Sequence, residues 1–177
     1  EILLYAISEI PKEFFKTFKI EITGPGDRNY INKIKLMISK FKIGDYVSML
    51  PPKSREEKID YLLSSDVFIL PSYEEGDSIA LKEAMSAGNA VIISEQCRLN
   101  LVKKENAGII VKTNKNSIKD ALLDLNNLNL KEMGENSKKI MLKYFDNDAC
   151  SDRVFKIYKD IHTGSLSSND WIENNEN

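Results

Sequence analysis

Five short runs constrain this chain more than anything else in it. They are "KIEIT" at 19–23, "YVSML" at 46–50, "DVFIL" at 66–70, "AVIIS" at 90–94 and "GIIV" at 108–111. Each is apolar and β-branched, and the first three run straight into turns: Gly24-Pro25-Gly26, Pro51-Pro52 and Pro71-Ser72. Strands that are apolar throughout are expected to be buried on both faces, as in parallel sheets. Helical spacing fills the gaps: Ile31, Ile34, Met37 and Phe41 over 29–41; Ile59, Leu62 and Leu63 over 54–64; Ile79, Leu81, Ala84 and Met85 over 78–87. The alternation predicts an α/β fold, a doubly wound parallel sheet with helices on both faces. Beyond residue 113 the pattern turns helical, over 115–126, 130–144 and 148–162.

The two ends differ from this middle. Residues 2–10 read as a helix stopped near Pro11. A doubly wound domain opens with a strand, so the expectation is that the first strand is missing and the domain, 1–162, is N-terminally truncated. The stretch 163–177 is rich in Ser, Asn, Asp and Glu and is expected to be a disordered tail.

Composition narrows the chemistry. With 42% hydrophobic and 29% charged residues, the chain can bury a core and stay soluble. A net charge of −2 gives no sign of nucleic acid or an anionic membrane as partner. No apolar run approaches the roughly 18 residues of a membrane span. Cys97 and Cys150 are far apart, which fits a reducing compartment. His162 is the only histidine and sits at the end of the last helical pattern, where it suits the helix dipole. One histidine and no Cys/His cluster argue against zinc. Gly24-Pro25-Gly26 is followed by Asn29 where a dinucleotide fingerprint needs glycine, so it reads as a tight turn.

The segment from Pro71 to Gly88 carries the chemistry. A buried strand ends in Pro71-Ser72, and a helix opens near Ser78, a good N-cap. Open α/β sheets bind ligands beyond the carboxyl ends of their strands, and free helix N-termini favour phosphate. Glu75 and Glu83 stand eight positions apart across this turn. Gly76 allows close backbone approach. Glu83, about one and a half turns into the helix, can face the same crevice. In isolation, such a pair is a polar loop and a surface glutamate. In this setting, two carboxylates beside a phosphate-friendly helix end suit a ligand with both phosphates and hydroxyls, a sugar nucleotide.

Pro71-Ser72, Glu75-Gly76, Glu83-Ala84-Met85 and Gly88, in that spacing, resemble the signature of glycosyltransferase family 4, the group-1 glycosyltransferases of GT-B fold. "FKIEITGPG", "SSDVFILPS", "ENAGIIV" and "MGENSKKIMLKYF" resemble further parts of the family in order, so the likeness spans residues 2–162. It implies the Rossmann-like C-terminal, donor-binding half of a two-domain enzyme.

The resemblance implies a retaining transferase of hexosyltransferase type. It would move a sugar from a UDP- or GDP-sugar to a glycan or lipid-linked acceptor held by a further N-terminal domain. Glu75 would contact the sugar nearest the reacting carbon, as the catalytic residue. Glu83 would accept from the ribose hydroxyls. Gly76 and the N–H groups of Asp77, Ser78 and Ile79 would meet sugar and diphosphate. Lys53 and Lys58 fall where the family holds the base, and Gly24 lies in its Gly-rich turn. The family's basic pair, which neutralises the leaving diphosphate, would precede Glu1, so this chain alone is expected to be inactive. No metal or other cofactor is implied. Polysaccharide assembly in the cytoplasm, at the inner face of the membrane, is the implied setting. Two alternatives stand beside this: a GT-B sugar-nucleotide epimerase, and a non-catalytic donor-binding subunit acting with a partner chain.

Overall fold

The computed structural model describes residues 1–164, apart from the side chain of Ala149. The expected tail therefore lies, from Ser165 on, outside the described residues. All five strands form: β1 (Ile20–Ile22), β2 (Val47–Met49), β3 (Val67–Leu70), β4 (Ala90–Ser94) and β5 (Gly108–Val111). The helices are α1 (Ile2–Ile7), α2 (Arg28–Lys40), α3 (Arg55–Leu63), α4 (Ile79–Ala87), α5 (Leu101–Lys104), α6 (Lys115–Asp124), α7 (Leu130–Ile140) and α8 (Asn147–His162). Short 3-10 turns at Lys12–Lys16, Glu95–Cys97 and Leu125–Asn127 complete the described elements, with a π-turn over Met141–Phe145. No helix among the described residues is long and apolar enough to cross a membrane.

Every strand pairing is parallel, and helices flank both faces, as the alternation predicts. On β4, Ile92 joins one core cluster with Leu4, Ile38, Ile118 and Leu122, whereas Val91 and Ile93 join the other with Leu81, Met85 and Ile140. Side chains alternate across a strand, so these clusters are the two faces of the sheet. Helices α1, α2 and α6 cover the first face, and α4, α5 and α7 the second. Helix α3 packs against α4.

The strands do not form one sheet. β1 pairs with β2, and β3, β4 and β5 pair in that order, as two separate parallel sheets. Nor are all the strands buried on both faces. Only β4 is buried throughout; Glu21 on β1 and Ser48 on β2 are exposed. The reason is position: β4 lies between two strands, whereas β1 and β3 each have one strand neighbour and one open edge.

Local sequence signals set most helix ends. Ser54 and Glu57 make a reciprocal capping box on α3, with Ser54 N–H donating to Glu57 Oε2 at 2.7 Å and Glu57 N–H to Ser54 Oγ at 3.3 Å. Gly88 ends α4 in the left-handed region at φ 92°. Some apolar positions with helical spacing do not reach a core. Ile59, Leu63 and Ile79 are 50%, 59% and 71% exposed, because α3 and α4 turn other residues, Leu62, Leu81 and Met85, inward. The helical stretch before the last also differs from expectation. The pattern over 130–144 breaks into a π-turn at Met141, where one extra residue per turn redirects the chain into α8.

Asn89 pins this architecture from inside. It is fully buried, and its Nδ2 donates to the carbonyls of Leu62, at 2.8 Å, and Ser65. The end of α3 is thereby tied to the turn between α4 and β4.

Candidate functional site

A cavity of about 870 Å³ runs between β1 and β3 and reaches the turns that follow β1 and β2. Four residues singled out from sequence lie on it: Gly24, Lys53, Lys58 and Glu83. Gly24 holds φ 145° in the turn after β1, a conformation L side chains rarely adopt. Thr23 Oγ1 donates to the Pro51 carbonyl at 2.9 Å and so joins the turns that follow β1 and β2. Lys53 sits 4.8 Å from the centroid of the Tyr61 ring, a cation–π contact. Burial first, and then the Glu21 carboxylate, push the Tyr61 phenol well above its ordinary value, so Tyr61 stays neutral.

Lys58 and Glu83 meet across the gap between α3 and α4. Lys58 Nζ donates to Glu83 Oε1 at 2.6 Å, with both side chains about one third to two fifths exposed, 40% and 35%. Oε2 of Glu83 accepts no side-chain or main-chain donor of the described residues. One carboxylate oxygen is therefore anchored and the other is available to hydroxyl donors.

Glu75 lies in the loop that follows β3, outside the lining of the cavity. Ser72 Oγ donates to Glu75 Oε2 at 3.2 Å, and the buried Ser94 Oγ at the end of β4 donates to the Ser72 carbonyl at 2.7 Å. A short relay thus runs from the interior strand to the half-buried carboxylate. Neither serine carries a sequence signal for that role; their common position at strand ends is the one hint available.

The start of α4 is open. Ser78 is its N-cap with φ −71°, so the residue needs no glycine-like freedom. Its Oγ accepts the Leu81 N–H at 3.3 Å. The preceding helical N–H groups, of Ile79 and Ala80, have no partner within the helix. They carry the positive end of the helix dipole. A Cβ on Gly76 would meet no atom within 4 Å, so no protein contact requires glycine there. Asp77 does not stand uncompensated at this helix end, since Lys82 Nζ donates to its Oδ2 at 2.6 Å. The same amine lies 4.9 Å from the Phe145 ring centroid, in the π-turn.

Cys97 is buried beside Ser94 Oγ at 3.7 Å and packs in the core of the second face. His162 occupies the last turn of α8. Among the described residues, no group of three or more His, Cys, Asp or Glu side chains is placed to hold a metal ion.

Comparison with known proteins places this geometry. A search of curated proteins finds no significant sequence match. Solved structures share the fold. Sucrose-phosphate synthase from Thermosynechococcus elongatus is similar with a TM-score of 0.74 at 20% identity, over 92% of this chain and 42% of that one. Anabaena HepE in complex with UDP gives 0.73 at 14%, over 89% and 44%; the same protein has also been solved with UDP-glucose. A glycosyltransferase from Rickettsia africae gives 0.72 at 21%, over 90% and 43%. The chain thus spans less than half the length of these structures. Its sequence matches the family described as "Glycosyl transferases group 1" over residues 1–140, most of its length. With that match laid over parallel strands, an open α4 amino end and the Lys58–Glu83 pair, the chain belongs to the group 1 glycosyltransferases.

Proposed function

We propose that this chain is the donor-binding part of a retaining glycosyltransferase of family 4 that uses a nucleoside-diphosphate sugar. The observation that carries the reading is the half-anchored Glu83 on the cavity beneath the open amino end of α4. A carboxylate with a free oxygen accepts from paired ribose hydroxyls in charge-assisted bonds. The Ile79 and Ala80 N–H groups donate to the oxygens of a diphosphate. Glu75, held by Ser72, stands on the same turn and serves the sugar. In transfer, the bond from the anomeric carbon to the diphosphate oxygen breaks and a bond to an acceptor oxygen forms. The helix end stabilises the departing charge, and Glu75 orients the sugar and faces the positive charge that develops at the anomeric carbon. HepE, similar in fold, has been solved with UDP and with UDP-glucose, which supports a nucleotide-sugar ligand. The acceptor, a glycan or lipid-linked saccharide, would be met by a further domain, in polysaccharide assembly at the cytoplasmic face of a membrane.

Calorimetric titration with UDP, GDP and a panel of their sugars tests this. Saturable binding of at least one nucleotide is expected, weakened tenfold or more in Glu83→Gln. In Glu75→Gln the bare nucleotide should bind as before while the sugar adds nothing to affinity. A chain that binds none of these ligands, alone or within a longer protein containing it, would sink the reading.

A further inference from the structure

The turn from Tyr73 to Ser78 has no main-chain fastening of its own. β3 ends at Leu70 and α4 begins at Ile79, so neither the strand ladder nor the helix includes it. Among the described residues, none of the N–H groups of Tyr73 to Ser78 donates to a main-chain carbonyl. Main-chain groups that face water are satisfied in many poses, so side chains must select one.

The two ends of the turn are held in that way. Ser72 Oγ donates to Glu75 Oε2 at 3.2 Å, and Ser78 Oγ accepts the Leu81 N–H at 3.3 Å. Between these ends lie Gly76 and Asp77. A Cβ on Gly76 would meet no atom within 4 Å, so Asp77 is the handle for this stretch. Lys82 Nζ donates to its Oδ2 at 2.6 Å. The lysine side chain is 28% exposed and the carboxylate 77%, so the lysine is the held partner and the carboxylate the tethered one.

Lys82 is itself held from behind. It follows Leu81, which is buried with Ala84 and Met85 on the inner side of α4. Its amine lies 4.9 Å from the centroid of the Phe145 ring, a cation–π contact. Phe145 closes the π-turn Met141–Phe145 and packs against the second core cluster, which includes Leu81 and Met85. The next residue, Asp146, caps α8 by accepting the Asp148 N–H at 3.1 Å. An exposed ion pair alone fixes little. A ring behind the amine restricts the directions that amine takes. Single π-turns within helical segments frequently mark functional sites.

We propose that Lys82 is the positioning residue of the Gly76–Ser78 turn. It takes its place from Phe145 and passes that place to Asp77, so the pose of the turn that opens α4 is set from the π-turn. Lys82 touches no ligand in this role. It fixes the turn with or without a nucleotide, and its effect on affinity rests on the function proposed above. Position and charge make different demands. If Lys82 only cancelled the Asp77 charge beside a phosphate, removing both charges would restore affinity. A positioning residue leaves the turn loose in that double variant.

NMR relaxation of the backbone amides of the 177-residue chain, without ligand, tests the tie. Order parameters at Gly76, Asp77 and Ser78 should stand near the rigid value of about 0.85 in the parent and fall below about 0.6 in Lys82→Met and in Phe145→Leu. Lys82→Arg keeps an ion pair and a ring contact, and should restore them. Equal order parameters in the parent and Lys82→Met, with helical circular dichroism retained, overturn the proposal. Should Phe145→Leu fail to fold, the two Lys82 variants decide alone. Titration of the same proteins with UDP and GDP follows. Affinity should fall about fivefold in Lys82→Met and stay as low when Asp77→Asn is added. Parent affinity in the double variant overturns the positioning role. A parent that binds neither nucleotide sinks the proposed function, while the order parameters still decide the tie.

Discussion

Lys58 Nζ lies 2.6 Å from Oε1 of Glu83, and this single contact closes the gap between α3 and α4 at the cavity mouth. An ion pair this exposed adds only about 0.5 kcal/mol to stability. Its effect is positional, since it fixes one carboxylate oxygen and leaves the other to a ligand. Lys58→Met should shift the melting temperature by less than about 2 °C. Nucleotide affinity, read by calorimetry, should fall about five- to tenfold, as expected for a group that loses its fixed orientation. Equal affinity in the variant would show that Lys58 does not orient Glu83.

Ser72 offers a cleaner separation of binding from chemistry. Its hydroxyl holds Glu75, and no other described side chain does. In a transferase containing this domain, Ser72→Ala should lower kcat about tenfold, with KM for the donor changed less than twofold. Steady-state kinetics over a range of donor concentrations reads this split. A rise in KM with kcat unchanged would place Ser72 in ground-state binding instead.

Two glycines, one in α7 and one in the signature turn, make opposite predictions. A Cβ on Gly134 in α7 would fall on the carbonyl oxygen of Gly88, well inside van der Waals contact, and both groups are backbone. Gly134→Ala should cost about 2–4 kcal/mol, in the range of overpacked cores. Gly76→Ala meets no protein atom within 4 Å and should leave stability within about 0.5 kcal/mol. Its effect belongs to ligand binding. Urea unfolding of the two variants, followed by nucleotide titration of Gly76→Ala, checks both halves.

Acid should loosen the link between α1 and α6. Hydrogen bonds from Lys115 and then Lys119 hold the Glu9 carboxyl below its ordinary value. The Ser54 backbone N–H, followed by its hydroxyl, does the same for Glu57 in the α3 cap. A carboxyl depressed in the folded state contributes stability that is fully present above its unfolded value, about 4.3. That stability is lost as pH falls through the folded value. Urea midpoints should therefore drop below about pH 4. Glu9→Gln should be less stable at pH 7 and should lose less between pH 6 and pH 3 than the parent. A parallel loss in both proteins would assign the acid limb to other carboxyls.

The strands were legible in sequence because apolar β-branched runs ending at Gly or Pro have few other uses. The Ser78 cap was legible because a serine stood just before the helical spacing began. Burial of each strand was not, because it depends on neighbours, and β1 and β3 have a neighbour on one side only. The π-turn at Met141 escaped notice because its apolar spacing continues the helical pattern on either side. In the site, Glu75 and Glu83 could be picked out by spacing. Their partners could not, since Lys58 lies 25 residues from Glu83 and Ser94 lies 22 residues from Ser72. Lys82 against Asp77 could have been read from sequence, because a lysine early in the helix can reach back to the turn that opens it.

Asn89 gives the α3–α4 pair a second fastening. It grips the end of α3 at Leu62 and Ser65, while Lys58 grips Glu83 nearer the start of α3. Two fastenings at different points along a pair of helices make a truss, which resists shear that a single bolt would permit. Any ligand that draws Glu83 off Lys58 meets a frame still held at its other joint. The load then falls on a buried amide whose Oδ1 has no hydrogen-bond partner among the described residues. Asn89 is thus both the joint that keeps α3 in line and the point in the frame with least hydrogen bonding in reserve.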